Sequence, residues 1–366
     1  MKKKSFLFLV QGEGRGHLTQ AITISEMLQQ HNHEVCCVVV GMSGKKTLPA
    51  FFPAAINSPV VTIPSPGFVT DTENKSVLAG KTVFHNLFRV KDYISSIRKI
   101  NMLIRFHKPD VVINFYEPLA AIYNLVYREK IRTFSIAHQF VYLHPGFHFP
   151  ETSRIRKNIL KWYTRFVALH SHKILAISMY QLPSSISEQI IVIPPVLRTA
   201  IRKMSPGKEN FILVYLVNSG YKNQIIEWHK QHPEISIHCF MDCNQLKNDH
   251  KGEWIYDETL SFHSLNDRKF MEMMASCNAM ATTAGFESVC EAMYLSKPVM
   301  MVPVEGQFEQ CCNAADAQKN GAGIRADHFD LSKLIQYIPN HNQQSPEYHR
   351  WVEQAESIIM QSLQAG

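Results

Sequence analysis

Short apolar runs bounded by glycine and polar turns alternate along the chain with longer stretches at helical spacing. Phe6 to Val10, Val35 to Val40, Val111 to Asn114, Thr133 to Ala137 and Ile174 to Ile177 are such runs. Continuous runs of this length between helical segments predict parallel strands covered on both faces. Between the first two, Leu18, Ala21, Ile22, Ser25 and Leu28 recur at helical spacing and His31-Asn32-His33 closes the turn, so residues 5–40 are predicted to form a βαβ unit.

The first series ends near Ile193-Pro194-Pro195, and a polar stretch through Ser205-Pro206-Gly207-Lys208 leads to a new run, Phe211 to Val217. A second series follows: Ile235 to Met241, a helix over 267–276, Ala279 to Ala281, a helix after Gly285, Val299 to Val302 and a helix ending at Asn320-Gly321. Beyond about Asp330 the pattern is helical, with Trp351, Ala355, Ile358, Ile359 and Leu363 at core spacing. The expected organisation is α/β, two Rossmann-like doubly wound domains over 1–198 and 199–340, with a C-terminal helix in 341–366 packing back across the interdomain region. Open α/β sheets take ligands at the carboxyl ends of their strands, so a cleft for two substrates is expected where two such domains face each other.

The length of 366 residues agrees with two domains, and the 45% hydrophobic, 19% charged composition excludes disorder and low complexity. A net charge of +7 favours anionic partners. No helix-turn-helix, RNP-like or Cys/His module accompanies it, so nucleic acid is not an expected partner. Lys2-Lys3-Lys4 before Ser5 to Val10 looks like the start of a signal peptide, but the apolar run stops at Gln11-Gly12 and predicts a buried first strand instead. No apolar stretch approaches the ~20 residues that span a bilayer. The eight cysteines sit mostly inside apolar patterns, as reduced thiols do, which points to the cytoplasm. Cys239 and Cys243 lack a second pair at metal-binding spacing, and no metal is expected.

Candidate chemistry concentrates in residues 283–313. After the run ending at Thr282 come Thr283-Ala284-Gly285, where Gly285 opens a helix with Ser288 in its first turn. Unpaired N–H groups and the positive dipole end make such a terminus a seat for a diphosphate. Val289, Ala292 and Met293 are predicted to pack inward, and Glu287 and Glu291 to share the opposite face. Glu291, one turn in, is placed to accept both hydroxyls of a ribose. A Pro-bounded strand, Pro298 to Pro303, then delivers Glu309 and Gln310, which can bond sugar hydroxyls. In the first domain, Gly12, Gly14 and Gly16 alternate ahead of His17, which is the wrong spacing for a dinucleotide fingerprint, and no acidic residue closes the second strand at Val40-Gly41.

In order and spacing, Gly285, Ser288, Glu291, Pro298 to Pro303, Glu309-Gln310 and Asn313-Ala314 resemble the donor signature of UDP-glycosyltransferases and of the bacterial lipid II-forming N-acetylglucosaminyltransferases. The resemblance implies the GT-B fold, a nucleoside diphosphate sugar, UDP-linked, as donor on the second domain, and a sugar or lipid-linked acceptor on the first. It implies no cofactor. Thr283 stands where plant members carry a phosphate-binding His, and its hydroxyl can still donate. Asn218-Ser219-Gly220 resembles the family's second phosphate-contacting turn, and Leu260 to Leu265 falls at its base-binding loop, with Phe262 and His263 placed to flank a uracil.

Gly14-Arg15-Gly16-His17 resembles the Gly-rich loop and Gly-His that open the first domain of the same families. Loss of the acceptor proton during attack on an anomeric carbon suits a neutral imidazole near pH 7, which makes His17 the candidate general base. The plant enzymes orient this His with an Asp on a later strand end. Here that position is Asn114, with Glu117 and Asp110 as possible substitutes, or His17 serves binding alone. Ala137-His138-Gln139-Phe140 resembles the His-Glu-Gln-Asn turn of the bacterial enzyme and is expected to line the acceptor pocket. Arg154, Arg156, Lys157, Lys161 and Arg165 interleave with Ile155, Ile159, Leu160, Trp162 and Phe166, a basic amphipathic stretch suited to an anionic membrane surface or to packing on the sheet. Phe84, Leu87, Phe88 and Arg89 look similar.

The expected activity is metal-independent, inverting sugar transfer in cell-envelope glycan biosynthesis, in the cytoplasm or at the inner face of the membrane. A nucleotide-sugar 2-epimerase and a catalytically silent nucleotide-sugar binder are the alternatives.

Overall fold

The computed structural model describes residues 3–44, 47–67, 86, 88–127, 131–151, 154–183, 189–217, 219–241, 252–342 and 346–364. Asn218, Cys243, Phe84 and Leu87 lie outside them. The chain forms two compact units, one drawn from 1–69, 79–198 and 350–366 and the other from 199–349.

The first unit is a seven-stranded sheet of β1 (Ser5–Gln11), β2 (Glu34–Met42), β3 (Val60–Pro64), β4 (Val111–Phe115), β5 (Arg132–Ala137), β6 (Lys173–Ile177) and β7 (Ile190–Ile193), in the order β3-β2-β1-β4-β5-β6-β7. Every pairing is parallel. The crossovers carry helices α1 (Arg15–Gln30), α2 (Phe51–Ile56), α3 (Val90–His107), α4 (Pro118–Tyr127) and α5 (Arg154–Val167). The alternation of β1 explains why both of its faces are apolar. Leu7 and Leu9 meet Ile97, Ile100 and Ile104 of α3 and Leu119 and Tyr123 of α4, while Phe8 goes to the other face and packs edge-on against Phe115. The strand order reverses between β1 and β4, which makes their carboxyl ends the switch point of the sheet.

The second unit begins with α6 (Thr199–Arg202) and contains β8 (Ile212–Leu216), α7 (Lys222–Gln231), β9 (Ile237–Met241), β10 (Glu253–Ile255), β11 (Leu260–Ser264), α8 (Asp267–Ser276), β12 (Ala279–Thr283), α9 (Phe286–Tyr294), β13 (Val299–Val302), α10 (Phe308–Lys319), β14 (Gly323–Arg325), α11 (Leu331–Tyr337) and α12 (Pro346–Glu353). The order is β10-β11-β9-β8-β12-β13-β14, parallel except for the β10–β11 pair, with its switch point between β8 and β12. Gly323 is held at φ 157° where a Cβ would collide with the backbone of Val299, so β14 can pair with β13 only through a glycine.

The single terminal helix expected from the pattern is two, α12 and α13 (Ala355–Gln364), separated at Gln354. The second belongs to the first unit, with Ile359, Met360 and Leu363 buried, and so does the last turn of α12 from Arg350 on, where Trp351 Nε1 donates to the Ser178 carbonyl at 3.0 Å. Among the described residues no helix is long and apolar enough to cross a membrane.

Candidate functional site

In the first unit the loop Gly12-Glu13-Gly14 carries the chain from β1 into α1. Gly14 is the N-cap, extended at φ −116° and ψ 157° and without a side-chain cap, and open space surrounds the position a Cβ would take. Arg15 places its guanidinium over the Phe51 ring at 4.5 Å, a cation–π contact. Gly16 adds no side chain to the first turn, and His17 follows it in α1.

His17 is 9% exposed. Burial drives its pKa down to about 4 against a smaller raising effect of Gln20, so the imidazole is neutral at pH 7. Its ring stacks on Tyr116 with centroids 5.7 Å apart and planes at 21°. Nε2 lies 3.5 Å from the Gln139 amide nitrogen, and Nδ1 has no hydrogen-bond partner among the described residues.

Among the described residues no carboxylate bonds this imidazole. The Asn114 amide is spent at home, with Nδ2 donating to the Val167 carbonyl at 3.1 Å and Oδ1 accepting the Glu117 N–H at 2.8 Å. Asp110 cannot take the missing role either. It accepts the Ser5 N–H at 2.8 Å, at the amino-terminal end of the sheet, whereas His17 lies beyond the carboxyl end of β1.

Glu117 is fully buried. Its Oε1 caps α4 by accepting the Leu119 N–H at 3.0 Å and accepts the Ser65 hydroxyl at 2.6 Å. Its Oε2 has no hydrogen-bond partner among the described residues and rests against Gly41, where any Cβ would strike it. Desolvation pushes its pKa up to about 7, with the charge of Glu13 adding to the shift against the opposing bonds from Ser65 and Leu119. Glu13 in turn accepts the Ser43 hydroxyl. Two carboxyls thus share the carboxyl ends of β1, β2 and β3, one ready to carry a proton at neutral pH.

The two members of the His138-Gln139 turn differ. Gln139 reaches His17, but His138 is structural, with Nδ1 bonded to the Ile177 carbonyl at 3.0 Å and its ring edge-on to Tyr142.

In the second unit β12 ends at Thr283 and Gly285 caps α9 in an extended conformation (φ −73°, ψ 139°) with no side-chain cap. No side chain therefore covers the positive dipole end at the first turn. The Thr283 hydroxyl accepts the Val217 N–H at 3.4 Å and so ties the end of β8 to the end of β12. Asn313 of α10 donates to the Ala284 carbonyl at 3.1 Å, and Gln310 accepts the Val304 N–H at 2.8 Å. These side chains build the turns at the switch point. Glu309 stands half-buried in the first turn of α10. Glu287, Ser288 and Glu291 are all buried, Glu291 to 1% exposure, where the helical pattern places the two acids on an open face.

The segment 260–265 is not a loop, and its two aromatic side chains are corrected accordingly. Phe262 points from β11 into the core, fully buried and stacked on Trp254 at 4.9 Å, with no face left for a base. His263 points to the other side of the strand into a polar cluster, with Nε2 3.0 Å from His238 Nδ1 and Nδ1 3.1 Å from both Lys269 Nζ and Glu253. Of the predicted second phosphate turn, Ser219 and Gly220 start a short 3-10 segment ahead of α7. Among the described residues no group of three or more His, Cys, Asp or Glu side chains could hold a metal. Tyr116 and Ser65 carry no signal in the sequence, because a stacking partner and a hydroxyl contact from separate strands leave no local pattern.

Against known proteins, a family model described as glycosyl transferase family 1 matches residues 4–340. No curated protein matches. Among solved structures, the glycotransferase of kitacinnamycin superposes with a TM-score of 0.63 at 13% identity, covering 99% of this chain and 100% of the other. MurG of Acinetobacter baumannii gives 0.55 at 16% identity, covering 100% of both chains. Phytolacca americana UGT2, solved with UDP-2fluoro-glucose and pterostilbene, gives 0.64 at 12% identity over 99% of each chain. At these identities the likeness is one of fold.

Proposed function

The chain belongs to glycosyl transferase family 1, a glycosyltransferase of the GT-B fold, and from this we propose that it transfers a sugar from a UDP-linked donor to an acceptor hydroxyl. The uncapped start of α9 behind Gly285, with Ser288 in its first turn and Glu291 one turn on, is the observation that carries the proposal. A diphosphate would accept the first-turn N–H groups and the Ser288 hydroxyl, and the helix dipole would favour its charge by ~0.3–1 kcal/mol. Glu291 would take the ribose hydroxyls once the side chains covering it move aside, and Glu309 the sugar. With the leaving charge held by amides, the reaction needs no metal.

On the first unit the acceptor oxygen attacks the anomeric carbon, the bond from that carbon to the diphosphate oxygen breaks, and the nucleoside diphosphate departs with the bonding electrons. The acceptor proton passes to His17, which is neutral at pH 7. Attack from the face opposite the leaving group inverts the configuration.

A lipid-linked acceptor agrees with α5. Ile155, Ile159 and Trp162 are 71%, 60% and 67% exposed on one side of that helix, and its sequence holds five basic residues and no acidic one. Such a surface suits an anionic bilayer. Thymidine diphosphate, with which a spinosyn rhamnosyltransferase of 10% identity and TM-score 0.61 was solved, is the rival nucleotide.

One observation favours a second possibility, a silent nucleotide-sugar binder: among the described residues no acid bonds His17. Mass analysis after incubation with UDP- and dTDP-sugars and a panel of polyprenyl-linked and soluble acceptors separates the cases. A glycosylated acceptor, lost in His17→Ala, is expected. Binding without product supports the silent protein, and an epimerised free sugar would overturn both.

A further inference from the structure

We propose that Tyr116 replaces the missing acid as the positioning residue for His17: its ring fixes the imidazole plane that a carboxylate fixes elsewhere. The inference rests on the reading of His17 as the base that receives the acceptor proton. Three features of the molecule carry it.

The first is backbone conformation. Tyr116 sits at φ 60°, in the left-handed region, directly after β4 and bridged to Val10 of β1. A bulky aromatic residue in that region is held there by its surroundings at a cost, and such residues gather where geometry matters for function. The strand end turns back here, so the ring leaves the sheet and lies over the start of α1 rather than following the β4 alternation into the core.

The second is the anchoring of the ring. The Tyr116 hydroxyl bonds the Thr164 hydroxyl at 3.0 Å, and both residues are buried. Phe140 meets the ring edge-on at 5.4 Å and Tyr163 at 5.9 Å. The face left between these contacts is the one on which His17 stacks.

The third is the imidazole. It is more than nine-tenths buried, yet Nδ1 has no hydrogen-bond partner among the described residues, and the contact of Nε2 with Gln139 is long at 3.5 Å. The hydrogen bonds to the ring are the long one with Gln139 and a weaker one from Gln20, which leaves stacking on Tyr116 as the contact that defines its plane. An acid in the dyad position would also raise the basicity of the imidazole. An aromatic face orients it without doing so, which agrees with a base that stays neutral far below pH 7.

The test compares Tyr116→Phe, which keeps the face and drops the anchor, with Tyr116→Leu, which removes the face. The readouts are turnover and the ring chemical shifts of His17 followed against pH by NMR. The Phe variant is expected to keep kcat within about three-fold, and the Leu variant to lose about ten-fold or more in kcat with the donor KM unchanged. In the Leu variant the His17 midpoint should also move up towards its ordinary value as the imidazole loosens. A folded Leu variant with unchanged kcat and an unchanged His17 titration would overturn the proposal. Should the Leu variant not fold, a Phe variant losing as much as His17→Ala would overturn it, and one retaining activity with an unchanged titration would uphold it. Failure of the underlying reading looks different: His17→Ala then transfers sugar as well as the parent, whatever the titration in the Tyr116 variants.

Discussion

Glu117 and His17 are buried titratable groups a few residues beyond the carboxyl ends of the neighbouring strands β4 and β1, and burial moves them in opposite directions. For Glu117 the folded pKa is raised to about 7 from 4.5. The folded protein binds that proton more tightly than the unfolded chain, so the contribution is fully present below pH 4.5 and is lost as the pH rises through about 7. Glu117→Gln, which mimics the protonated acid, is expected to match the parent near pH 4.5 and to exceed its stability above pH 7 by on the order of 3 kcal/mol. Urea unfolding at pH 5 and pH 8 reads the difference. For His17 the folded pKa is depressed to about 4. The unfolded chain takes up the proton first, so this contribution holds above pH 6.5 and is lost as the pH falls towards 4. The same neutrality sets the pH profile: the acid limb of kcat/KM attributable to His17 should lie near pH 4, well below 6.5, and a His17-dependent limb at 6.5 would contradict the burial described here.

Among the elements, those with long continuous patterns were legible from sequence. The strand runs from Phe6, Val35, Val111, Thr133 and Ile174, the helix at 267–276 and the helix opening at Gly285 all stand where the spacing places them. The strands not predicted are β3, β7, β10, β11 and β14, which are short and lie at or beside sheet edges, where one side needs no continuous apolar run. Misjudged depth had another cause. Periodicity assigns a face to Phe262, Glu287 and Glu291, but whether that face is covered depends on elements far away in the chain, and here all three are buried. Asn313 belongs at this scale as well. It spans from α10 to the Ala284 carbonyl at 3.1 Å and fixes the turn ahead of α9. Asn313→Ala leaves a buried carbonyl unpaired and should cost ~1–3 kcal/mol, with a weaker affinity for nucleoside diphosphate. On α5, Trp162→Ser should leave the melting temperature unchanged, since the side chain is 67% exposed, while reducing co-sedimentation with anionic vesicles. Equal sedimentation of parent and variant would remove α5 from the membrane reading.

Each of the two units is built on a doubly wound seven-stranded sheet, the second with an antiparallel β10 at its edge, and the last helix belongs to the first unit. Lys4 Nζ donates to the Leu363 carbonyl at 3.3 Å and His31 meets Glu356 at 3.0 Å, so α13 is tied within that unit to the residue before β1 and the residue after α1. Deleting 350–366 strips Ile359, Met360 and Leu363 from its surface and should lower the unfolding temperature of the first unit, whereas residues 199–349 retain protection from proteolysis by nucleoside diphosphate. The family and the two-sheet fold do not depend on any single site residue, but the donor assignment does. Calorimetric titration of UDP and dTDP into the parent, Ser288→Ala and Glu291→Ala tests it most directly. Binding of one of them to the parent, weakened about ten-fold or more in each variant, is the expected result. Equal affinity in all three proteins, or no binding to the parent, would contradict a nucleotide seat at the start of α9.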